Sequence, residues 1–303
     1  MHILSALLSN MDIVITYVDG NDPEWKKDYE HYTDTPVMDK RFRDWGTLKY
    51  LLRGVECNMP FVRNVFLVVS HPTQVPEWID RKNVRIVLHK DIIPESFLPT
   101  FNSNPIEMHL HRIEGLDEEY LYFNDDIFPV AKCEPTDFFR DGKGVLGFTR
   151  HYLAVGMYKK ICRNSDRLAR KASGLKKSFS FLRPQHICTP MFRSECESLY
   201  NGFEKEISAS LTMIRSACNL TQYIYLNYQY YKGRMIKERI SSRHCSLAVT
   251  SPEKVAQFIL HPERKMLCIN DVRLSDQRYE SLRKVIHESF ENRFPVKSRF
   301  EKQ

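Results

Sequence analysis

The sequence predicts an α/β domain with a mainly parallel sheet, and three observations carry that prediction. Apolar, β-branched runs recur at Asp12–Val18, Asn64–Val69, Val84–Leu88 and Tyr120–Phe123. Segments with apolar residues at helical spacing separate several of these runs. Acidic or polar clusters follow three of them: Asp19 and Asp22, His89 and Asp91, and Asn124-Asp125-Asp126. Short unbroken apolar runs suit strands buried on both faces, and strand–helix alternation suits parallel pairing. Ligands of open α/β sheets bind outside the carboxyl ends of the strands, so three polar strand ends together point to a site.

Each element has its own warrant. Residues 1–10 (MHILSALLSN) carry neither a basic n-region nor a small-residue cleavage site and are given no fold role. Asp12–Val18 is a strand that ends at the turn Asp19-Gly20-Asn21-Asp22-Pro23. Asp44–Cys57 sets Trp45, Leu48, Leu51, Leu52 and Val55 at helical spacing. Asn64–Val69 and Val84–Leu88 are the second and third strands, Ile106–Gly115 a helix, Tyr120–Phe123 the fourth strand and Val145–Thr149 a fifth. Lys159–Arg183 holds nine Lys or Arg and one acid, Asp166, with a weak apolar period and a Ser173-Gly174 break. It is predicted as an exposed, mobile insertion, solvated or in contact with an anionic partner. Helices are expected at Cys196–Leu211, Leu220–Tyr231 and Ser275–Phe290, with a strand at Met266–Ile269.

Composition narrows the function classes. The 303 residues are 42% hydrophobic and 27% charged, which excludes a disordered or fibrous chain. A net charge of +7 leaves nucleic acid, an anionic membrane and phosphorylated substrates open as partners. No nucleic-acid motif is present. No apolar stretch reaches the roughly 18 residues of a membrane span. The eight Cys form no C-x-x-C pair, so reduced cytosolic thiols are expected rather than a zinc site or disulfides.

Adjacent carboxylates such as Asp125 and Asp126 repel unless a cation neutralises them, and hard oxygen ligands favour Mg²⁺ or Mn²⁺ bridging phosphates. The competing reading is a turn capped by Asp side chains. Glu107 and His111 stand at i and i+4 with Arg112 adjacent, which reads as an acid/base set, as support behind the metal site, or as a salt-bridged surface helix. His186 and Arg215 carry no signal by themselves.

Four blocks carry a resemblance. They are Asp12–Asp22 (DIVITYVDGND), a long block from Arg41-Phe-Arg-Asp44 to Tyr122-Phe-Asn-Asp-Asp126, a weaker one from Gln185-His186 to about Gly233, and Cys268-Ile-Asn-Asp271 with Phe294–Phe300. In these the chain resembles the Stealth family of sugar-1-phosphate transferases. That family includes bacterial capsule polymerases and the catalytic core of the animal lysosomal-enzyme GlcNAc-1-phosphotransferase. The resemblance implies a GT-A or Rossmann-like core over residues 11–150, the basic insertion at 151–184, and a helical part at 185–303 that completes the same catalytic domain. It implies a Mg²⁺-dependent phosphotransferase for substituted phosphate groups. An acceptor hydroxyl of a glycan or lipid-linked glycan would attack the sugar-linked phosphorus of a UDP-sugar, and UMP would leave.

On the family's positions, Asp12, Glu107, Asp126, His186 and Arg215 fall where essential residues are expected. The implied roles are Asp125, Asp126 and Asp271 on the metal, Arg215 on the transferred phosphoryl group with Arg112 or Arg41, and Asp12, Asp22 and Asn124 at the nucleotide. His186 or Glu107 is the base. In the third block Thr189 and Ser216 stand where other members carry His. An ordinary glycosyltransferase releasing UDP and an inactive basic binding protein are the alternatives. The expected location is cytoplasmic, with peripheral contact at the inner face of a bacterial membrane through 159–183.

Overall fold

The computed structural model describes residues 11–34, 42–271 and 274–303. The appendage at 1–10 and Arg41 lie outside the described residues.

In chain order the first half runs β1 (Met11–Thr16), α1 (Pro23–Tyr32), α2 (Leu48–Asn58), β2 (Val62–Val69), β3 (Val84–Leu88), α3 (His89–Ile92), α4 (Ser103–His109) and β4 (Glu119–Asn124). Then come β5 (Ile127–Pro129), β6 (Phe139–Arg140), β7 (Lys143–Leu146), β8 (Phe148–His151), α5 (Gly156–Ala172), β9 (Phe181–Pro184), β10 (Thr189–Phe192), α6 (Arg193–Gly202) and α7 (Glu204–Ser210). The chain continues through α8 (Tyr223–Tyr231), β11 (Met235–Lys237), β12 (Ser242–Ser246), α9 (Pro252–Leu260), β13 (Met266–Asn270) and α10 (Asp276–Arg293).

The main sheet has the order β10-β4-β1-β2-β3. β4, β1, β2 and β3 are parallel, and β10 closes one edge antiparallel to β4. The unbroken apolar run of β1 is buried from Met11 to Ile15, as a central strand covered on both faces must be. The sheet is thus mainly parallel with helices, as the alternation predicts. The second half contributes strands as well as helices. β10 comes from it and completes the main sheet, while β13 pairs with β5 in a smaller sheet of order β12-β13-β5. The two halves are interlaced.

The basic stretch also differs from expectation. Residues 156–172 form α5, which buries Ile161, Cys162, Ser165, Asp166 and Ala169 against the protein. Small and polar residues make up most of that buried face, so its period is faint in the sequence. Asp166 earns its burial by accepting hydrogen bonds from Leu182 N (3.1 Å), Asn227 Nδ2 (3.3 Å) and the Tyr231 hydroxyl (2.7 Å). Lys160, Arg167 and Lys171 are exposed on the opposite, outward face, while Lys159, Arg163 and Arg170 are half-buried at its flanks.

Two local features fix the frame under the site. Gly54 lets α2 approach β5, since a Cβ there would sit 2.7 Å from the Pro129 carbonyl. Arg53 of α2 is buried and forks onto Glu301 (2.9 and 3.0 Å), with further bonds to Glu291 Oε1 (3.2 Å) and the Phe294 carbonyl (2.9 Å). This ties the C-terminal segment to the first half by a bidentate, charge-assisted contact.

Asp12 lies on β1 at the end remote from its carboxyl terminus and is 0% exposed. Its carboxylate accepts from Arg63 Nε and Nη2 (3.1 Å each), Asn64 Nδ2 (2.8 Å) and Asp117 N (3.0 Å). It pins β1, β2 and the entry to β4 together. Asp12→Ala strands these donors and is expected to cost about 3 kcal/mol of stability, read as a lowered denaturation midpoint. Donor affinity of the folded fraction should be unchanged. Lost affinity at unchanged stability would return Asp12 to the site.

Candidate active site

A cavity of about 290 Å³ opens at the carboxyl ends of the main-sheet strands. Thr16, Tyr17 and Val18 leave β1 into it, Ser70 leaves β2, His89 leaves β3, and Asn124, Asp125 and Asp126 leave β4. Asp271 and Asn270 enter from the end of β13, and Arg215 from the loop before α8. Arg43 and Asp44 complete one wall with Trp25, Phe42 and Phe101.

The β4–β5 corner explains how distant carboxylates meet. β4 belongs to the main sheet and β5 to the small one, so Asn124-Asp125-Asp126 is the joint between sheets. β13 runs antiparallel to β5 with Cys268 opposite Ile127, and Ile269 N donates to the Asp126 carbonyl (2.8 Å). That register carries the end of β13, and Asp271 just after it, alongside the acidic corner. Trp45 Nε1 donates to Asp271 Oδ2 at 3.0 Å and holds it there.

The electrostatics are those of an unneutralised acidic cluster. Burial pushes Asp125 up to about 8, with the Asp126, Asp44 and Asp271 carboxylates adding repulsion. Burial also raises Asp44, and nearby Asp19 adds to it, against the hydrogen bond from Gly46 N. Asp126 Oδ1 is buried with no hydrogen-bond partner. Its Oδ2 meets the Cys268 thiol at 3.6 Å and His186 Nε2 at 3.8 Å. These three residues can offer ligand atoms within 4.8 Å of one another. Cys268 is held well above the usual thiol range by burial and by Asp126, so it stands as a thiol rather than as a thiolate ligand. The stranded oxygen and the crowded carboxylates fit a hard divalent cation.

His186 is half-buried beside Asp126. Burial pulls its pKa down, but the hydrogen bond and charge of Asp126, with Glu107 behind, more than offset this and leave it raised. Glu107 does not line the cavity. It is buried, and its Oε2 accepts from Thr221 Oγ1 (2.6 Å) and Gln222 N (2.9 Å). Thr189 donates to Gln222 Oε1 at 2.9 Å, which extends the same network to β10. Arg215 Nη2 donates to Ser103 Oγ at 2.6 Å and has no carboxylate partner among the described residues. Its loop is fixed by Phe101 N on the Met213 carbonyl (3.0 Å) and by Asn219, which bonds Ser210, Thr212 and Ser216.

The structure therefore brings together Asn124, Asp125, Asp126, His186, Arg215 and Asp271, with Glu107 one layer behind. Three further placements differ from expectation beside that of Asp12. Arg112 lies over the Tyr200 ring at 4.8 Å in a separate cavity with His111 and Arg193, next to the chain entering β4 and away from the acidic corner. The helical face that Glu107 and His111 were expected to share is not one acid/base set. His111 is buried near Tyr200 and Tyr225 and kept neutral, with burial lowering it to about 3. Asp22 caps α1 by accepting from Trp25 N at 2.8 Å, and so shapes the pocket wall rather than lining it. Sequence reasoning missed Arg43 and Asp44 as pocket residues, although both lie in the Arg41–Asp44 motif. It also missed Ser70, whose Oγ and the Nε2 of neighbouring His89 are buried in the wall without partners.

A parallel α/β core with an acidic cavity at its strand ends defines the class of this protein. The family model for Stealth protein conserved region 2 matches residues 41–146, and that for conserved region 4 matches residues 257–303. The chain is 30% identical to the capsular polysaccharide phosphotransferase WcwK of Streptococcus pneumoniae, over 97% of this chain and 100% of that one. It is also 30% identical to the exopolysaccharide phosphotransferase cps2G of Lactiplantibacillus plantarum, over 97% and 96%. Among solved structures, the galactosyltransferase LgtC in complex with donor and acceptor sugar analogues aligns at a TM-score of 0.40 and 10% identity, covering 95% of this chain and 98% of that one. The chain belongs to the Stealth family.

Proposed function

We propose that the chain transfers a sugar-1-phosphate from a UDP-sugar to a glycan hydroxyl, in the synthesis of a capsule or other cell-surface polysaccharide. The observation that carries this reading is the single cavity in which Asp125, Asp126 and Asp271 meet Arg215. The names of the full-length relatives support the phosphotransfer class. Asp125, Asp126 and Asp271 would hold Mg²⁺ or Mn²⁺, which when bound supplies neutralisation of the diphosphate charge.

The chain's own residues do the rest. Arg215 binds the transferred phosphoryl group, its planar fork matching two equatorial oxygens. Ser103 orients that fork. His186 accepts the proton of the acceptor hydroxyl as its oxygen attacks the sugar-linked phosphorus. Asp126 stabilises the imidazolium that results. The bond from that phosphorus to the bridging oxygen breaks, and UMP leaves with the electron pair. Glu107 is a positioning residue: with Oε2 committed to Thr221 and Gln222, it supports His186 from behind. Asn124 and the pair Ser70 and His89 form the wall nearest the nucleotide.

The test is incubation with a panel of UDP-sugars, a divalent cation and glycan acceptors, with chromatographic identification of the nucleotide released. UMP that appears in step with phosphodiester is the expected product. UDP instead of UMP would make the protein a glycosyltransferase, and absence of turnover with salt-sensitive RNA binding would make it a binding protein.

A further inference from the structure

The outward surface of α5 and the loops at its ends play no part in the cavity. β8 and β9 pair antiparallel with His151 opposite Phe181. The chain just beyond each partner, residues 152–155 and 178–180, therefore emerges at one tip. Tyr152, Leu153, Val155 and Met157 are exposed there, and Phe179 is 99% exposed. A cluster of large apolar side chains in water marks a surface that meets something apolar.

Basic side chains run from this tip along α5. Lys160, Arg163, Arg167 and Lys171 recur at spacings of three and four along α5, opposite the buried Ile161, Ser165 and Ala169. Lys176 and Lys177 are exposed on the segment that returns from the helix toward Phe179. Lys171 pairs with Glu206 at 2.7 Å. Lys159, Lys160, Arg167, Lys176 and Lys177 have no acidic partner within ion-pair distance among the described residues. No helix of the described residues is long and apolar enough to cross a membrane.

We propose that this surface docks the protein reversibly on an anionic phospholipid leaflet, with the apolar tip inserted at the interface and the basic face of α5 over the head groups. The charge calls for an anionic partner, and the tip calls for one with an apolar interior; a leaflet offers both. A hydrated acidic glycan could stack on Tyr152 and Phe179 but offers nothing apolar to Leu153, Val155 and Met157. β9 leads from the tip directly to His186, so docking holds the cavity close to the lipid surface, where a lipid-linked acceptor would present its glycan. The docking itself does not depend on the identity of the donor.

The test uses the full chain and vesicles of phosphatidylcholine with or without phosphatidylglycerol. Co-sedimentation should occur with the anionic vesicles only and weaken as salt rises, because exposed charges are screened within about 10 Å at 0.1 M. Lys159→Gln, Lys160→Gln, Lys176→Gln and Lys177→Gln together should lower binding by at least about tenfold, given roughly fivefold for each basic residue near such a surface. Leu153→Ser with Phe179→Ser, which changes no buried side chain, should lower it by a similar factor with the charge retained. Phe179→Trp should show a blue-shifted emission component on anionic vesicles. Equal binding to neutral and anionic vesicles, no effect of either set, or an unshifted Trp emission would overturn the proposal. Loss of binding to a soluble acidic polysaccharide in place of vesicles would reassign the surface to a glycan. The outcome is independent of whether UMP is released, so it stands or falls apart from the reaction.

Discussion

Asp126→Asn is expected to abolish phosphodiester formation while the fold survives. Asp126 is the carboxylate with a buried, unpartnered oxygen, and it also faces His186. Asn keeps the shape and removes the charge that a divalent cation and a transient imidazolium both need. A loss of at least three powers of ten in kcat is expected, about 4 kcal/mol of transition-state stabilisation. The stability effect should have the opposite sign in metal-free buffer. Asp125, Asp44 and Asp271 repel one another around this position, and Asn removes one of the repelling charges. The melting temperature in EDTA should be equal or higher than wild type, and its rise on adding Mg²⁺ should vanish. Near-wild-type turnover at limiting Mg²⁺ would remove Asp126 from the metal site.

Arg215→Lys should fail almost as badly as Arg215→Ala. Arg215 reaches the cavity from a loop pinned by Phe101 and Asn219, with Nη2 on Ser103 and no competing carboxylate among the described residues. Lys keeps the positive charge, but it loses the planar fork that meets two phosphate oxygens at once. A loss of two or more powers of ten in kcat corresponds to about 3 kcal/mol or more. The KM for the donor should move much less, because the fork matters most when charge spreads over the equatorial oxygens. A Lys variant within a few-fold of wild type would reduce Arg215 to a diffuse charge.

The buried strands were readable because their physics is local: a central parallel strand such as Asp12–Val18 is apolar on both faces and says so within seven residues. The acidic corner was readable for the same reason, as a polar break at a strand end. Asp271, His186 and Arg215 were not readable from spacing. What unites them is the β5–β13 register and the loop before α8, contacts between residues far apart in the chain, and only the family resemblance linked them. Asp12 and Arg112 were misplaced because a charged residue near a strand looks the same whether it faces a ligand or clamps the scaffold. α5 was misread because its buried face uses Ser165, Asp166 and Cys162, which a hydrophobic period does not detect.

The joint between the two sheets also has a consequence for how the protein is made. Asp125 and Asp126 leave the ribosome long before Arg215, and Asp271 follows later still. A chain of which only β1 to β4 have emerged has neither Arg215 nor Asp271, and Asp271 reaches the acidic corner only when β13 pairs with β5. The parallel core can thus form before the cavity holds its full set of charged side chains. The cavity is completed by pairing between segments far apart in the chain, so its assembly is a long-range event even though its acidic corner is local.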